Sequence, residues 1–267
     1  SHFPGDAHGL FKFDGTNWTV YNTSNSQIPS NLVSSIFYKN DILWVATNSG
    51  LAKFDGENWI TYISPNTVNI SVVMDIELDE QGNLWLLHNT ALEKFDGTEF
   101  TLVNANNSNL PAVNLTSMTI DTSGVIWASC SEFGGPHQIT GGLLSFTGNH
   151  WTKYDTINSG INDTELYQVL AGADNQIWFG NTIGHVGKKY GSQWLYYDAS
   201  LGKLDNNVVR QIITDKSGCA YIGTGNPKIS GSSLFKTNMN SWTPMPYYSR
   251  STHTMTVDNQ MNLYIKN

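Results

Sequence analysis

One short pattern recurs along this chain at a nearly constant interval. It consists of an apolar residue, a Phe-Asp-Gly turn and an aromatic residue three positions after the glycine, as in GLFKFDGTNWTVY at 9–21, GLAKFDGENWITY at 50–62 and ALEKFDGTEFTL at 91–102. The aromatic position recurs beyond these copies, as Trp18, Trp59, Phe100, Trp151, Trp194 and Trp242. A period between 20 and 50 residues is typical of architectures in which each repeat is one supersecondary unit.

A second aromatic series confirms the period. It precedes the first series and consists of Trp44, Trp85, Trp127, Trp178, Tyr221 and Tyr264. Both series share one long step of 51 residues, from position 100 to 151 and from 127 to 178. Two independent series with nearly the same spacing, including the shared long step, indicate a true repeat of about 42 residues.

Each repeat divides into four short segments with the alternation of half-buried strands, such as 71–79, 83–89, 91–97 and 98–103. Asp-Gly tolerates the positive φ angles of a tight hairpin between the last two segments. Four strands per repeat predict an all-β fold, a single six-bladed β-propeller of four-stranded antiparallel blades. The predicted blades lie near 31–62, 70–102, 114–154, 164–197 and 207–243, with a sixth made from 252–267 and 9–21. Strands from both termini would thus close the ring and remove an open edge.

The composition narrows the class of function. The net charge is -8 and no basic cluster is visible, which argues against nucleic acid as a partner. No apolar run approaches the roughly 20 residues that span a bilayer. Cys130 and Cys219 fall two blades apart, so we expect two separate free thiols.

The full repeat, approximately IPSNLVSSI…ILWVATNSGLAKFDGENWITY, resembles the two-component regulator propeller repeat. The resemblance covers essentially the whole chain and is weaker at 185–197 and 233–245, which lose the Asp or the Gly. It implies a periplasmic or extracellular bacterial sensor portion of a hybrid histidine kinase, or a stand-alone secreted relative. Such a module would bind a small polar ligand or glycan, or a protein partner. No kinase or receiver segment is present in the sequence, so signalling would need a partner or further sequence.

The recurring Phe54, Asp55, Gly56 and Trp59 are interpreted as scaffold, because every blade needs the same hairpin and core filling. Variation between equivalent positions is more informative. One column, predicted to line the central channel, is entirely polar: Ser35, Asp75, Ser117, Gln168, Gln211 and Thr254. The preceding column is uneven and reads Ser34, Met74, Thr116, Tyr167, Arg210 and His253.

Tyr167, Arg210 and His253 fall in three consecutive predicted blades, so a ring, a cation and an imidazole could converge at one channel mouth. Arg suits planar carboxylate or sulfate groups, and Tyr suits stacking. Two expanded loops, 129–142 and 223–233, open on the same face and carry Phe133, His137 and Lys228. The predicted ligand-binding set is Tyr167, Arg210, His253, Asp75, Gln168, Gln211, Phe133, His137 and Lys228. The alternatives are a water-filled channel, flexible loops without function, and an Arg210 paired with Asp75 or another wall carboxylate.

Catalysis is the less favoured class. His88, His137, His185 and His253 are all placed near this face, and a lyase-like propeller enzyme with a histidine and metal site is the alternative. However, no carboxylate is expected beside these histidines, and the polar column offers a single acid, Asp75. We therefore expect no catalytic residue, no metal and no cofactor. The leading hypothesis is a non-enzymatic binding propeller, and a structural protein-interaction scaffold is a further alternative.

Overall fold

Short antiparallel strands make up the fold. The computed structural model describes residues 9–13, 16–66, 72–111, 113–131, 141–161, 165–197, 208–225, 234–245, 254–257 and 263–266, without the side chains at 174, 254–257 and 264–266. The chain divides into two compact units, Ser1–Asn107 and Ser108–Asn267. Within the described ranges, no helix is long and apolar enough to cross a membrane.

The first unit contains ten described strands. They are β1 (Leu10–Phe13), β2 (Trp18–Tyr21), β3 (Val33–Lys39), β4 (Ile42–Thr47), β5 (Gly50–Phe54), β6 (Trp59–Tyr62), β7 (Asp75–Leu78), β8 (Leu84–His88), β9 (Ala91–Phe95) and β10 (Phe100–Asn104). Strands β1 and β2 form a two-stranded ladder. Strands β3–β6 form the first four-stranded sheet and β7–β10 the second, each with its strands in chain order.

The second unit contains fourteen described strands. They are β11 (Asn114–Ile120), β12 (Ile126–Ser131), β13 (Gly142–Thr147), β14 (His150–Tyr154), β15 (Leu166–Ala171), β16 (Ile177–Asn181), β17 (Val186–Tyr190), β18 (Gln193–Tyr197), β19 (Val208–Thr214), β20 (Ala220–Gly225), β21 (Leu234–Thr237), β22 (Trp242–Met245), β23 (Thr254–Val257) and β24 (Leu263–Lys266). They form the third sheet (β11–β14), the fourth (β15–β18), the fifth (β19–β22) and a two-stranded ladder (β23–β24).

The prediction of an all-β chain built from four-stranded antiparallel units is confirmed, since all five such sheets follow the chain order. The count of six blades and the closure by both termini stay predictions, because β1–β2 and β23–β24 form separate two-stranded ladders. The strand pairings explain the two aromatic series. Trp44, for example, lies on the second strand of its sheet, and Trp59 begins the fourth.

The repeated Phe-Asp-Gly turn is a capped loop of four residues. Phe54 faces Trp59 across the hairpin, with ring centroids 4.5 Å apart. Asp55 Oδ1 accepts the backbone N–H groups of Glu57 (2.9 Å) and Asn58 (2.7 Å), and Gly56 supplies the positive φ of 103°. The sequence predicted a tight hairpin at Asp-Gly. That prediction is wrong in its loop length, because four residues separate the paired Phe54 and Trp59. The aspartate is needed because its carboxylate satisfies amides that the turn leaves unpaired.

The core of each unit lies between successive sheets. In the first unit, Ala46 and Leu51 of the first sheet pack against Ile76, Leu86 and others of the second. In the second unit, one cluster joins the third and fourth sheets and another joins the fourth and fifth. Two faces of neighbouring sheets thus bury their apolar side chains against each other, and the hydrophobic effect stabilises each pair.

One apolar face of the first unit is exposed. Ile36 in β3 is 56% exposed, although its equivalents in the other four sheets are at most 3% exposed: Ile76, Met118, Val169 and Ile212. Tyr38 on the same strand is 65% exposed. These two residues border an apolar groove of about 580 Å³ that also contacts Phe11 and Leu43. The β1–β2 ladder covers part of the first sheet, where Leu10 packs with the buried Val45 and Ala52, but the part of the face at Ile36 stays exposed.

The turn from the first to the second strand carries an aspartate that anchors the aromatic residue of the second strand. Asp121 Oδ2 accepts the indole N–H of Trp127 at 2.8 Å, while its Oδ1 accepts two backbone amides. Equivalent bonds join Trp85 to Asp79 and Tyr221 to Asp215. The fourth sheet departs from this pattern. Gly172 occupies the aspartate position, and the buried indole nitrogen of Trp178 has no hydrogen-bond partner.

Candidate functional site

The first strand of four of the five four-stranded sheets carries a β-bulge at the same place. The register skips one residue between Val33 and Ser35, between Leu115 and Ser117, between Leu166 and Gln168, and between Val209 and Gln211. In the second sheet, the Met74 amide donates to the Leu87 carbonyl, and Leu87 also faces Asp75. The uneven column predicted from the sequence is therefore the bulge column, which contains Ser34, Met74, Thr116, Tyr167 and Arg210.

Burial explains why the bulges form. Leu166 and Val169 are both 1% exposed, as are Val209 at 0% and Ile212 at 1%. Residues three apart point to opposite faces of a regular strand, so both can enter the core only if an extra residue lies between them. In these two strands the bulge residue and the polar residue after it then lie outside the buried set: Tyr167 and Gln168, and Arg210 and Gln211. Bulges are frequent next to functional sites because they re-aim one side chain.

Hydroxyl groups of β11 fix the position of β15. Thr116 Oγ1 donates to the carbonyl of Leu166 at 3.0 Å, and Thr119 Oγ1 accepts the amide of Ala171 at 3.1 Å. Both ends of β15 are thereby tied to the neighbouring strand. Tyr167, directly after Leu166, starts from a fixed backbone and is 39% exposed. It is a large aromatic side chain held where solvent and a ligand can reach it.

Arg210 is the bulge residue of β19, the next first strand, which contacts β15. The side chain is half-buried, and its Nε atom is buried without a hydrogen-bond partner. The ion pairs between described residues of the second unit are Lys153–Asp155 and Lys236–Asp215, and Arg210 takes part in neither. Partly buried arginines are normally paired, so this guanidinium is unusual.

The structure brings four predicted residues onto two neighbouring strands, namely Tyr167 and Gln168 on β15 and Arg210 and Gln211 on β19. Both glutamines are half-buried. Asp75 lies in the first unit, where its Oδ1 accepts the amide of Ile76 at 3.0 Å. The other predicted site residues lie outside the described residues: His253, Phe133, His137 and Lys228.

The sequence analysis missed Glu77. It lies two residues after Asp75 on β7, and residues at that spacing share a face of the strand. Burial, and then the charge of Asp75, raise the pKa of Glu77 to about 8, while Lys39 acts in the opposite direction. Asp75 is therefore not a lone acid on this strand. The i, i+2 spacing of two carboxylates was the available sequence signal.

The sequence analysis also missed a carboxylate beside one histidine. Glu93 Oε2 lies 3.8 Å from His88 Nε2, and both residues are at most 3% exposed. Ser64 and Asn66 donate hydrogen bonds to Glu93 Oε1. Burial raises the pKa of Glu93, but the neighbouring His88 and the hydrogen bonds from Ser64 and Asn66 together lower it below its usual value. The expectation that no carboxylate stands beside these histidines is wrong, because β8 and β9 pair His88 close to Glu93 across a two-residue turn.

The His88–Glu93 pair lines a small cavity of about 40 Å³ within the first unit, together with Thr47, Ser64 and Leu51. This volume holds about three waters at most. Across the described part of the chain, no group of three or more His, Cys, Asp or Glu residues could hold a metal ion. Both cysteines are free, and burial raises the pKa of the Cys130 thiol to about 12.

No protein-family model and no curated protein matches this chain. Solved structures do resemble it. The extracellular domain of the hybrid two-component system BT3049 from B. thetaiotaomicron is 19% identical with a TM-score of 0.62, over 88% of this chain and 32% of that one. PorZ, a surface component of the type-IX secretion system of Porphyromonas gingivalis, is 19% identical with a TM-score of 0.68, over 96% and 41%.

A third similar structure is a catalytically inactive virginiamycin B lyase from Staphylococcus aureus with quinupristin. It is 14% identical with a TM-score of 0.67, over 87% of this chain and 76% of the lyase. The chain spans about a third of the length of the BT3049 domain. At these identities the likeness is one of fold, and at that level the resemblance to two-component sensor domains seen in the repeat is confirmed.

Proposed function

We propose that this chain is a non-enzymatic, extracytoplasmic propeller module of sensor type, which binds a small polar ligand or glycan at the bulge column of its second unit. The observation that carries the proposal is the pairing of Tyr167 and Arg210 at equivalent bulges of two adjacent strands. The bulges hold the backbone of both residues in place, and the second residue has a buried nitrogen without a partner.

The similar structures support the sensor part of the proposal. The BT3049 domain is described as the extracellular domain of a hybrid two-component system. A location outside the cytoplasm follows for this chain by analogy. The predicted loops around Phe133, His137 and Lys228, together with His253, would form the rim of the same site. In a variant of this proposal, the ligand is a protein partner that binds the same face.

Six blades with non-covalent closure belong to the same proposal. Its support is the exposed apolar face at Ile36 and Tyr38, since the residue equivalent to Ile36 is buried in each of the other four sheets. The ladders β1–β2 and β23–β24 are the described strands that belong to no four-stranded sheet, and joining them would supply a sixth blade beside this face. Covering that face would bury apolar area and complete the sheet edge at β1.

A ligand screen tests the binding function. The purified chain is heated with individual saccharides, amino acids and divalent metals, and stabilisation is measured as a rise in melting temperature. We expect at least one saccharide to stabilise the chain, and Tyr167→Ala to remove that effect. Tyr190→Ala is the matched control, since Tyr190 is an exposed tyrosine in the same sheet but distant in register from the bulge. Failure of every saccharide to stabilise the wild type would contradict the proposed function.

The second candidate is a lyase-like enzyme, which the buried His88–Glu93 pair and the similarity to virginiamycin B lyase favour. An imidazole beside a carboxylate can act as a general base. The test is conversion of quinupristin by the wild type, followed by chromatography and mass spectrometry. Conversion that is lost in His88→Gln, with an unchanged melting temperature, would replace the sensor proposal.

A further inference from the structure

We propose that the small cavity beside His88 and Glu93 binds a primary alkylammonium group, and that Glu93 is the residue that recognises its positive charge. The ammonium would enter the cavity, and the alkyl chain attached to it would lie along exposed aliphatic side chains at the surface. All residues of this site belong to the first unit. The inference therefore goes beyond the proposed function and does not depend on it.

The first argument is that Glu93 occupies a position where the other sheets carry no charge. It faces Leu86 on the neighbouring strand, and the equivalent position in the other four sheets is apolar or glycine: Ala52, Leu144, Gly187 and Phe235. The repeated scaffold therefore does not need a carboxylate here. A buried charge costs stability unless it is compensated, and such a departure from a shared pattern is expected at a functional site.

The second argument is the incomplete pairing of this carboxylate. The hydrogen bonds that Glu93 accepts from Ser64 and Asn66 both reach Oε1. Oε2 has Nε2 of His88 at 3.8 Å, which is longer than a hydrogen bond. No described lysine or arginine forms an ion pair with Glu93. Because the pKa of Glu93 is lowered, the carboxylate is charged at neutral pH and attracts a cation that can donate hydrogen bonds.

The third argument is that a ligand can reach the carboxylate. Glu93 is 1% exposed and lines the cavity of about 40 Å³, whereas Asn48 and Val72 line the same cavity and are exposed. The cavity thus connects the buried carboxylate with solvent. At roughly 10–15 Å³ for each water-sized group, it has room for an ammonium and one or two methylene groups. A planar guanidinium or a quaternary ammonium needs more space.

An aliphatic rim borders the mouth of the cavity. It consists of three exposed side chains, Leu32 (52%), Ile63 (59%) and Val72 (49%). The Leu32 carbonyl accepts the backbone N–H of Asn48 at 3.2 Å, and Asn48 lines the cavity. Ile63 packs directly over Gly50, another lining residue, since a Cβ on that glycine would lie 2.7 Å from Ile63 Cδ1. An alkyl chain that covers this rim would remove apolar surface from water.

A metal ion is the competing type of cation. Ca²⁺ takes about six to eight oxygen ligands, of which several are normally carboxylates. Among the residues that the structure describes, no group of three or more His, Cys, Asp or Glu side chains could hold a metal ion. An ammonium needs only hydrogen-bond acceptors and one opposite charge, which Glu93 supplies.

The experiment compares two ligands that share a butyl chain and differ in the charge of the head group. n-Butylammonium and n-butanol are titrated against the purified chain by ligand-observed NMR, which suits dissociation constants on the order of 1 mM. We expect the ammonium to bind at least about tenfold more tightly than the alcohol. Glu93→Gln keeps the size of the side chain, and it should weaken ammonium binding by about tenfold or more and leave the alcohol unchanged. A peptide with one lysine and blocked ends is the second arm, which distinguishes an ammonium carried by a polypeptide from a free amine.

Glu99→Gln is the matched control. Glu99 is exposed in the turn that follows β9, and its replacement removes the same charge. Equal weakening by Glu99→Gln and Glu93→Gln would overturn the inference, since net charge alone would then explain the binding. Equal binding of the ammonium and the alcohol would overturn it too, and so would a failure of both n-butylammonium and the lysine peptide to bind the wild type. None of these outcomes bears on saccharide binding by the second unit.

Val72→Trp covers the case in which Glu93→Gln destabilises the chain. Val72 is 49% exposed, so its replacement should leave the melting temperature close to that of the wild type. The larger side chain should cover the mouth of the cavity and abolish ammonium binding. Unchanged ammonium binding by a folded Val72→Trp variant would place the ligand elsewhere and overturn the inference.

Discussion

Trp127 and Trp178 provide a matched pair in which one buried indole is hydrogen-bonded and the other is not. They occupy the same position in the third and fourth sheets, at 6% and 0% exposure. Each has a lysine over its ring, Lys189 at 5.2 Å and Lys188 at 4.9 Å. The difference is that Trp127 donates to Asp121 at 2.8 Å, whereas the Trp178 nitrogen has no partner. Replacing each by phenylalanine isolates the value of that bond.

The two replacements should differ by about 3 kcal/mol. Each loses part of a buried ring, which costs about 1–2 kcal/mol. Trp127→Phe also removes a hydrogen bond to a charged acceptor, which contributes about 1.5–3 kcal/mol. Trp178→Phe removes a buried donor without a partner, and relief of that desolvation offsets about 1–2 kcal/mol. We therefore expect Trp127→Phe to destabilise the chain by about 3–4 kcal/mol and Trp178→Phe to be close to neutral.

Gly172→Asp is the converse test. The backbone φ of Gly172 is -90°, which any residue adopts, but a Cβ there would lie 3.2 Å from Thr214 Cγ2 and 3.3 Å from Trp178 Nε1. If Thr214 yields by a few tenths of an ångström, the new carboxylate reaches the indole and stabilises the chain by about 1–2 kcal/mol. The gain should vanish in the double variant with Trp178→Phe, as a double-mutant cycle requires.

Urea unfolding followed by circular dichroism measures all four variants, because the loss of strand structure can be followed in each variant whichever tryptophan is replaced. The slope of each transition must match that of the wild type for the free energies to be compared. Equal destabilisation by Trp127→Phe and Trp178→Phe would refute the reasoning. So would a gain from Gly172→Asp that persists without Trp178.

Three further predictions follow from burial and edges. Because the pKa of Glu77 is raised to about 8 from 4.5, the native state holds its proton more tightly than the unfolded state, and stability is lost as pH rises between those values. Glu77→Gln should therefore be more stable than the wild type by about 2–4 kcal/mol at pH 8 and similar to it near pH 4.5; parallel melting curves would contradict this. Deletion of residues 1–21 should open a sheet edge and produce aggregation, whereas a monomer with an unchanged melting temperature would exclude closure by both termini. Thiol labelling of the denatured chain without reductant should find both Cys130 and Cys219 free, and in the native chain Cys219 should react first because Cys130 is 0% exposed.

The architecture was predictable because its signals are local and repeated. The Phe-Asp-Gly turn, the two aromatic series and the strand alternation each depend on residues within about ten positions of one another. Because the same signal recurs in five repeats, the four-stranded sheets could be predicted even where one copy, such as 185–197, lacks the Asp. The polarity of the Gln168 and Gln211 column was readable for the same reason.

The bulges were present in the sequence as an apolar spacing of three, Leu166 to Val169 and Val209 to Ile212. A search for strict alternation of period two does not recognise that spacing. The sequence analysis therefore found the uneven column without identifying the bulges that cause it. The pairing register then showed that Tyr167 and Arg210 are the residues placed outside the regular alternation.

The sequence alone determined the strands, the repeat and the polar positions, since each follows from side-chain type and local spacing. Only the tertiary structure decided which polar groups are satisfied. Glu93 and Ser64 are 29 residues apart in sequence and bonded in the fold, whereas the indole nitrogen of Trp178 and the Nε of Arg210 are buried without hydrogen-bond partners. The physical reason is that desolvation and hydrogen bonding depend on what packs around a group, and that environment is assembled from segments distant in the chain.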